Sequence, residues 1–379
     1  MKKKYIIFSI VTLVLLVALI TSFNYFKTTN TYIDDSFNNQ TKITKGISMN
    51  LEQTAGAGDY KTVTRSSWPT ERYNFNAELS RCENGSTLSW DDTKKAVIVS
   101  GNLSDKCYVY FDLARFDETC DGSTLACRIA KQYTGTQGEN SLYYHDSTLT
   151  NGAGDNSYRY AGASNNVNNY ICLGSDATTC PDANLFRIIG VFGDQTKVIR
   201  AKSVGDKEWD TNDSNTWSTS SLNTYLNGEY LTSLGTLADK IATTTWKVGG
   251  GSTTYLYDVP KTAYQYEVGS SASTTTYDAK IGLMYVSDYG FAADQSGWTT
   301  KLSSYGSNSS KNWLYLGSAE WTISRNSRLT GLAFTVTGTG YVNYTSVTLS
   351  RGVRQSFNLE SSVKYVSGSG SMSDPIIIE

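Results

Sequence analysis

The sequence predicts an α+β protein held outside the cytoplasm, with a transmembrane helix, a small all-β module and a larger C-terminal α+β domain. Three observations predict it. Lys2, Lys3 and Lys4 are followed by an uncharged run from Tyr5 to Phe26. Most later segments alternate apolar and polar residues at period two, the pattern of half-buried strands. Only a few stretches carry helical spacing, and they interrupt the strands rather than alternate with them, which indicates α+β rather than α/β.

The Tyr5–Phe26 run is 22 residues long, enough to span a ~30 Å hydrocarbon core as a helix. With Lys27 it makes residues 1–27 a short cytoplasmic start and an anchor, oriented with its N-terminus inside by the lysines before it. A cleaved signal peptide is the alternative, but Ser22 is followed by Phe23 and no A-x-A site appears. Either way the rest of the chain lies outside: at the cell membrane with an extracellular C-terminus, or secreted if the run is cleaved. Residues 28–42 are polar and aperiodic, a stalk.

Residues 43–113 read as the small β module. Ile47–Leu51, Ala96–Val99 and Cys107–Asp112 are its strands, and Glu83-Asn-Gly, Asp91-Asp-Thr and Gly101-Asn-Leu-Ser are turns between them. Residues 114–140 read as a connector with one short helix, because Leu125, Ile129 and Tyr133 share a helical face.

Residues 141–379 form the large domain. Asn184–Arg200 is a hairpin about Gly193-Asp194. Trp217–Asn227 opens the main helix, capped by a serine among Ser218–Ser221. Leu222, Tyr225 and Leu226 form its apolar face, Gly228 ends the first segment, and Leu234, Leu237 and Ile241 continue the burial. Ala279–Val286 is expected as a buried strand, with a short helix or turn opening at Ser287. Ala333–Val336, Gly340–Val342 and Val353–Leu359 are the closing strands.

Cys82, Cys107, Cys120, Cys127, Cys172 and Cys180 form an even set, as expected in an oxidising compartment. Proximity suggests Cys82–Cys107, Cys120–Cys127 and Cys172–Cys180. Zinc is the other reading of such a set, but it favours C-x2-C pairs, and these gaps hold 24, 6 and 7 residues with one histidine in the chain.

Charge excludes one partner class. The four lysines before residue 28 leave 29 basic against 35 acidic groups beyond it, so the body lacks the basic footprint of a nucleic-acid binder. The chemistry-bearing residues are sparse. His145-Asp146 is the only His-acid pair, and no G-x-S-x-G accompanies it. Asp288, Glu320 and Glu267 are carboxylates available to a glycosidase, although no spacing pairs them. The loops Asp210–Asn215 and Gly154–Ser157 are oxygen-rich but lack the glycine and terminal glutamate of a calcium loop. No cofactor or metal is expected.

Four segments in order resemble a family: Phe186-Arg-Ile-Ile-Gly-Val-Phe-Gly-Asp; Trp217-Ser-Thr-Ser-Ser-Leu-Asn-Thr-Tyr-Leu-Asn-Gly-Glu-Tyr-Leu; Lys280-Ile-Gly-Leu-Met-Tyr-Val-Ser-Asp-Tyr; and Trp321-Thr-Ile-Ser-Arg through Gly352-Val-Arg-Gln-Ser-Phe-Asn-Leu. They resemble a bacterial extracytoplasmic domain of unknown function from Firmicutes. That domain is similar to the C-type-lectin-like fold of formylglycine-generating enzymes and of hypervariable ligand-binding proteins. Ser367–Ile376 resembles the ends of bacterial surface proteins. Two departures stand out: Gln355 replaces the family's usual Pro, and no Cys follows Cys180, so formylglycine chemistry does not carry over.

The resemblance implies a C-type-lectin-like C-terminal domain with its ligand site on the terminal strands and loops. Trp321, Arg325, Asn326, Tyr341, Asn343 and Tyr344 fall there. Rigid aromatic faces with a few polar partners suit sugars and peptide side chains alike. Arg354 is assigned instead to buried carbonyls, which its planar donor fork suits. The expectation is a non-catalytic, membrane-anchored surface protein that binds an extracellular glycan or protein. The alternative is a structural envelope protein without a specific ligand, and an unrecognised hydrolase comes third.

Overall fold

The computed structural model describes residues 46–53, 55–63, 72–102, 105–175 and 179–379. The Tyr5–Phe26 run and the stalk lie outside the described residues. Among the described residues no helix is long and apolar enough to cross a membrane. The chain is a mixed α+β protein, mostly sheet with few helices. It divides into two units, one ending at Ala114 and one spanning Arg115–Glu379.

The first unit contains β1 (Ile47–Glu52), β2 (Tyr60–Val63), β3 (Tyr73–Cys82), β4 (Thr87–Asp91), β5 (Ala96–Ser100) and β6 (Cys107–Leu113). Four of them form a sheet in the order β2-β1-β6-β3, and β4 and β5 make a separate hairpin. Strand alternation is clear in β6, where Cys107, Val109 and Phe111 are buried and the residues between them are half-buried. The buried apolar core is small: Met49, Leu51, Val97, Val109 and Phe111. Cys82 and Cys107 lie directly opposite each other in the β3–β6 register and are bridged. A core this small leans on such a cross-link. Cys82→Ala is therefore expected to cost ~2–5 kcal/mol in denaturant unfolding of this unit. A loss below ~1 kcal/mol would show that β3–β6 pairing holds without the bridge.

The second unit carries the remaining strands: β7 (Leu142–His145), β8 (Ser157–Tyr160), β9 (Tyr170–Cys172), β10 (Leu185–Phe192), β11 (Gln195–Arg200), β12 (Asp206–Glu208), β13 (Thr244–Lys247), β14 (Thr276–Ala279), β15 (Glu320–Arg325), β16 (Leu332–Val336), β17 (Val342–Ser346), β18 (Ser350–Gly352), β19 (Ser356–Leu359), β20 (Tyr365–Ser367) and β21 (Ile376–Ile378). One sheet runs β19-β11-β10-β9-β21-β20, with β8 also pairing β10 and β7. A second runs β12-β18-β15-β16-β17, and β13 pairs β14. A single large core joins them, including Trp209, Trp217, Trp246, Trp313 and Trp321. The bridges Cys120–Cys127 and Cys172–Cys180 are both in this unit.

Three expectations change. The helix Leu125–Ala130, read as part of a connector, belongs to this unit, and Leu125, Ile129 and Tyr133 are in its main core. Gly228 does not end the main helix. Ser220 caps Ser221–Tyr225 through Asn223 N, and the chain then passes through a π turn, Leu226–Tyr230, and stays helical to Ser233. The glycine is accommodated inside the wider turn. Ala279–Val286 is not a strand. β14 ends at Ala279, and the buried residues beyond it are held by single contacts such as the Gly282–Ser356 bridge.

Candidate functional site

The six residues expected to bind ligand do not form one accessible face. Trp321 is 1% exposed and its Nε1 donates to Lys207 O at 2.8 Å. Asn326 is 3% exposed, and its Oδ1 accepts from Arg328 N and Leu329 N. Both are interior and are corrected to scaffold. The physical reason is position: β15 is an inner strand whose Trp321 packs into the main core, and Asn326, directly after it, is bridged to Gly251. Arg325 is half-buried, with Nε on Gly249 O at 3.1 Å. Gly250 makes that approach possible, since it has φ +64° and a Cβ there would lie 2.0 Å from Arg325 O.

Asn343, Tyr344 and Tyr341 lie on or beside the edge strand β17. Asn343 pairs with Thr335 and Tyr344 with Phe334, so the two side chains leave opposite faces. Tyr257 reaches both: its OH donates to Asn343 Oδ1 at 2.6 Å and its ring stacks on Tyr344 at 6.0 Å. Tyr341 is 37% exposed.

The other expected groups are engaged within the fold. His145 is fully buried between Phe291 and Trp298. Its Nδ1 accepts from Ala153 N, and burial holds its pKa well below the usual histidine range. Asp146 accepts from Thr148 N and Leu149 N instead of facing the imidazole. Asp210 accepts from Asn212 N, Ser214 N and Ser221 N. Among the described residues no three His, Cys, Asp or Glu groups are placed to hold a metal. Arg354 donates to Leu314 O, as its fork suggested, and also makes a bidentate pair with Glu320.

A different place brings charge and aromatic surface together. Along β8, Ser157 and Arg159 point one way and Tyr158 and Tyr160 the other. Gly190 in β10 is the register partner of both Arg159 in β8 and Lys197 in β11. Register partners share a face, so the two cations stand in one row with a glycine between them. β10 is also irregular between Ile188 and Gly190, and a Cβ on Gly190 would lie 2.1 Å from Tyr158 O. No larger residue fits there.

Asp288, in the helix Val286–Phe291, spans the two cations. Its Oδ2 is 2.6 Å from Lys197 Nζ and its Oδ1 is 3.6 Å from Arg159 Nη1. Arg159 Nη2 also pairs with Asp155 at 2.6 Å, and its Nε donates to Ser157 Oγ. Burial pushes the Asp155 carboxyl up, but the Arg159 charge and the hydrogen bonds from Ser157 and Arg159, among other groups, together hold it below the usual range.

Glu267 ends the helix Pro260–Glu267 at the same place. Its carboxylate accepts from Val286 N at 3.1 Å and Ser287 N at 2.8 Å, and Ser324 Oγ also donates to it. Desolvation raises its pKa to about 7.

Aromatic rings enclose the cations. Phe192, Phe291 and Tyr264 lie 4.6, 5.1 and 5.3 Å from the Arg159 guanidinium. Tyr285, Phe192 and Trp246 lie 4.8, 5.6 and 5.6 Å from Lys197 Nζ. Burial lowers the Lys197 pKa, with Asp288 opposing the shift.

Asp155, Arg159, Lys197 and Asp288, with the rings of Phe192, Trp246, Tyr264 and Tyr285, line a half-open cleft of about 150 Å³, and Glu267 and Phe291 lie behind it. Its outer part is formed by Thr244, Thr245, Lys247, Val268 and Asn358. Sequence reasoning named Asp288 and Glu267 only as unpaired carboxylates and missed the site they form with Arg159 and Lys197. Arg159 and Lys197 are 38 positions apart and Asp288 is 91 beyond Lys197, so only strand register unites them. The available signal was Lys197 itself, a lysine at a core-facing position of an apolar strand.

Comparison with known protein families, curated proteins and solved structures finds no match for this chain.

Proposed function

We propose that the protein is a non-catalytic, extracytoplasmic binding module, anchored by its N-terminal apolar run, whose C-terminal domain is C-type-lectin-like. The cleft beside β11 and β13 carries this reading. It pairs aromatic walls with a hydroxyl and amide rim, the lining that recognises a polar ring. Its volume of about 150 Å³ is below the ~300–1,000 Å³ of pockets for drug-sized ligands. It therefore takes one sugar ring or one side chain at the end of a longer glycan or peptide. The three disulfides suit an oxidising, extracytoplasmic setting.

A glycan and peptide array probed with the extracytoplasmic body tests the reading. Thr245 is exposed at the rim, so Thr245→Arg should block entry and cut retention of a bound probe at least ~10-fold, about 1.4 kcal/mol. Its melting temperature should stay close to wild type. Tyr341→Ala, at the other aromatic surface, should bind normally. Loss of binding in Tyr341→Ala with retention in Thr245→Arg would move the site to the β17 edge. Absence of any saturable binding would favour a structural role in the envelope.

A further inference from the structure

Lys197 and Asp288 present an amine and a carboxyl with nothing between them. Nζ and Oδ2 are 2.6 Å apart, and both side chains are nearly fully buried. Each is rigidly mounted. Lys197 is in β11, which is paired on both edges by β10 and β19. Asp288 is held by Tyr285 N at 2.8 Å, at the start of a helix whose next two amides are held by Glu267. We infer that these two side chains join covalently, forming an intramolecular amide between Lys197 Nζ and Asp288 Cγ.

The step balances without a co-reactant. The buried ion pair first shifts one proton from the ammonium to the carboxylate, giving a neutral amine and a carboxylic acid. Burial favours the neutral amine, because desolvation disfavours the Lys197 ammonium. The amine nitrogen attacks Cγ, and the N–C bond forms. Arg159 Nη1, 3.6 Å from Oδ1, stabilises that oxygen as it gains charge, and Oδ2, the oxygen in contact with Nζ, becomes the departing hydroxyl. Glu267, whose carboxylate sits on the Val286 and Ser287 amides beside the Tyr285 N–H that holds Asp288, is the group assigned to take the proton from nitrogen and return one to the departing hydroxyl. One water leaves, and the cleft gives it a path out.

In free solution such a condensation loses to hydrolysis. Here the reactants are held in contact, which replaces a bimolecular encounter by a positioned one. The rings of Phe192, Trp246 and Tyr285 around Nζ limit access of water to the product. Charge balance also permits it. Once Lys197 and Asp288 are neutralised together, Arg159 still has Asp155 at 2.6 Å. The bond would close a 91-residue separation, tying the central sheet to the helix beneath the cleft, a useful brace for a protein exposed outside the cell.

The test is mass spectrometry of the full chain after reduction of its disulfides, followed by tryptic mapping. The expected result is a deficit of one water and a branched peptide joining the Lys197 and Asp288 segments, with no cleavage after Lys197. Lys197→Met and Glu267→Gln should each restore the full mass. Asp288→Asn should lose ammonia instead and reach the same product mass as wild type. Linear Lys197 and Asp288 peptides from wild-type protein would overturn the inference, as would a water loss mapped to another site. The readout needs no ligand, so its outcome is separate from that of the binding reading.

Discussion

Arg354→Ala should destabilise the C-terminal unit by ~3–5 kcal/mol, the cost of leaving one member of a buried ion pair without its partner. Arg354 and Glu320 are each about 1% exposed, joined by two contacts of 2.7 Å. Glu320 begins β15 in one sheet, and Arg354 lies in the short link between β18 in that sheet and β19 in the other. The pair, with the Leu314 carbonyl, pins the point where the chain changes sheets. Desolvation raises the Glu320 pKa and Arg354 opposes it, so losing the guanidinium would leave the carboxyl protonated or unpaired. The double change Glu320→Leu with Arg354→Met should recover much of the loss, because it removes both buried charges. Urea unfolding of the three proteins measures this. A single-variant loss below ~1 kcal/mol would mean that the pair is dispensable.

The second large effect is a pH dependence set by Glu267. Its folded pKa of about 7 lies above the ordinary 4.5. Between those values the folded state holds a proton that the unfolded chain has released. The stabilisation is complete below about 4.5 and is lost as pH rises through about 7. The loss is on the order of 3 kcal/mol. His145 works in the other direction. Its depressed folded pKa stabilises the protein above its ordinary 6.5 and costs stability as pH falls. Glu267→Gln separates the two: its stability should fall less than wild type between pH ~5 and ~7.5. Equal pH slopes for the two proteins would remove Glu267 from the account.

How much of this was legible in the sequence follows from the range of each interaction. Strand alternation in β6, the hairpin of β10 and β11, and the Ser220 cap depend on neighbouring residues. The three disulfides also join sequence neighbours, since each closes a loop of 25 residues or fewer. Polarity and aromatic content could nominate Trp321 and Asn326 as surface groups. They could not reveal that β15 is an inner strand or that Asn326 after it meets Gly251, because both are decided by pairing between segments far apart.

The α+β class, the even cysteine set and the acidic balance beyond residue 28 were determined by the sequence alone, through composition and local periodicity. Tertiary structure alone decided where charge could be buried. Gly190 aligns Arg159 with Lys197 by strand register, and Asp288 and Glu267 arrive from two helices. Aromatic residues from several other segments then exclude water around them. A charged residue read in sequence is presumed solvated. It becomes a buried reactive group only when distant segments supply both its partner and its low-dielectric surroundings.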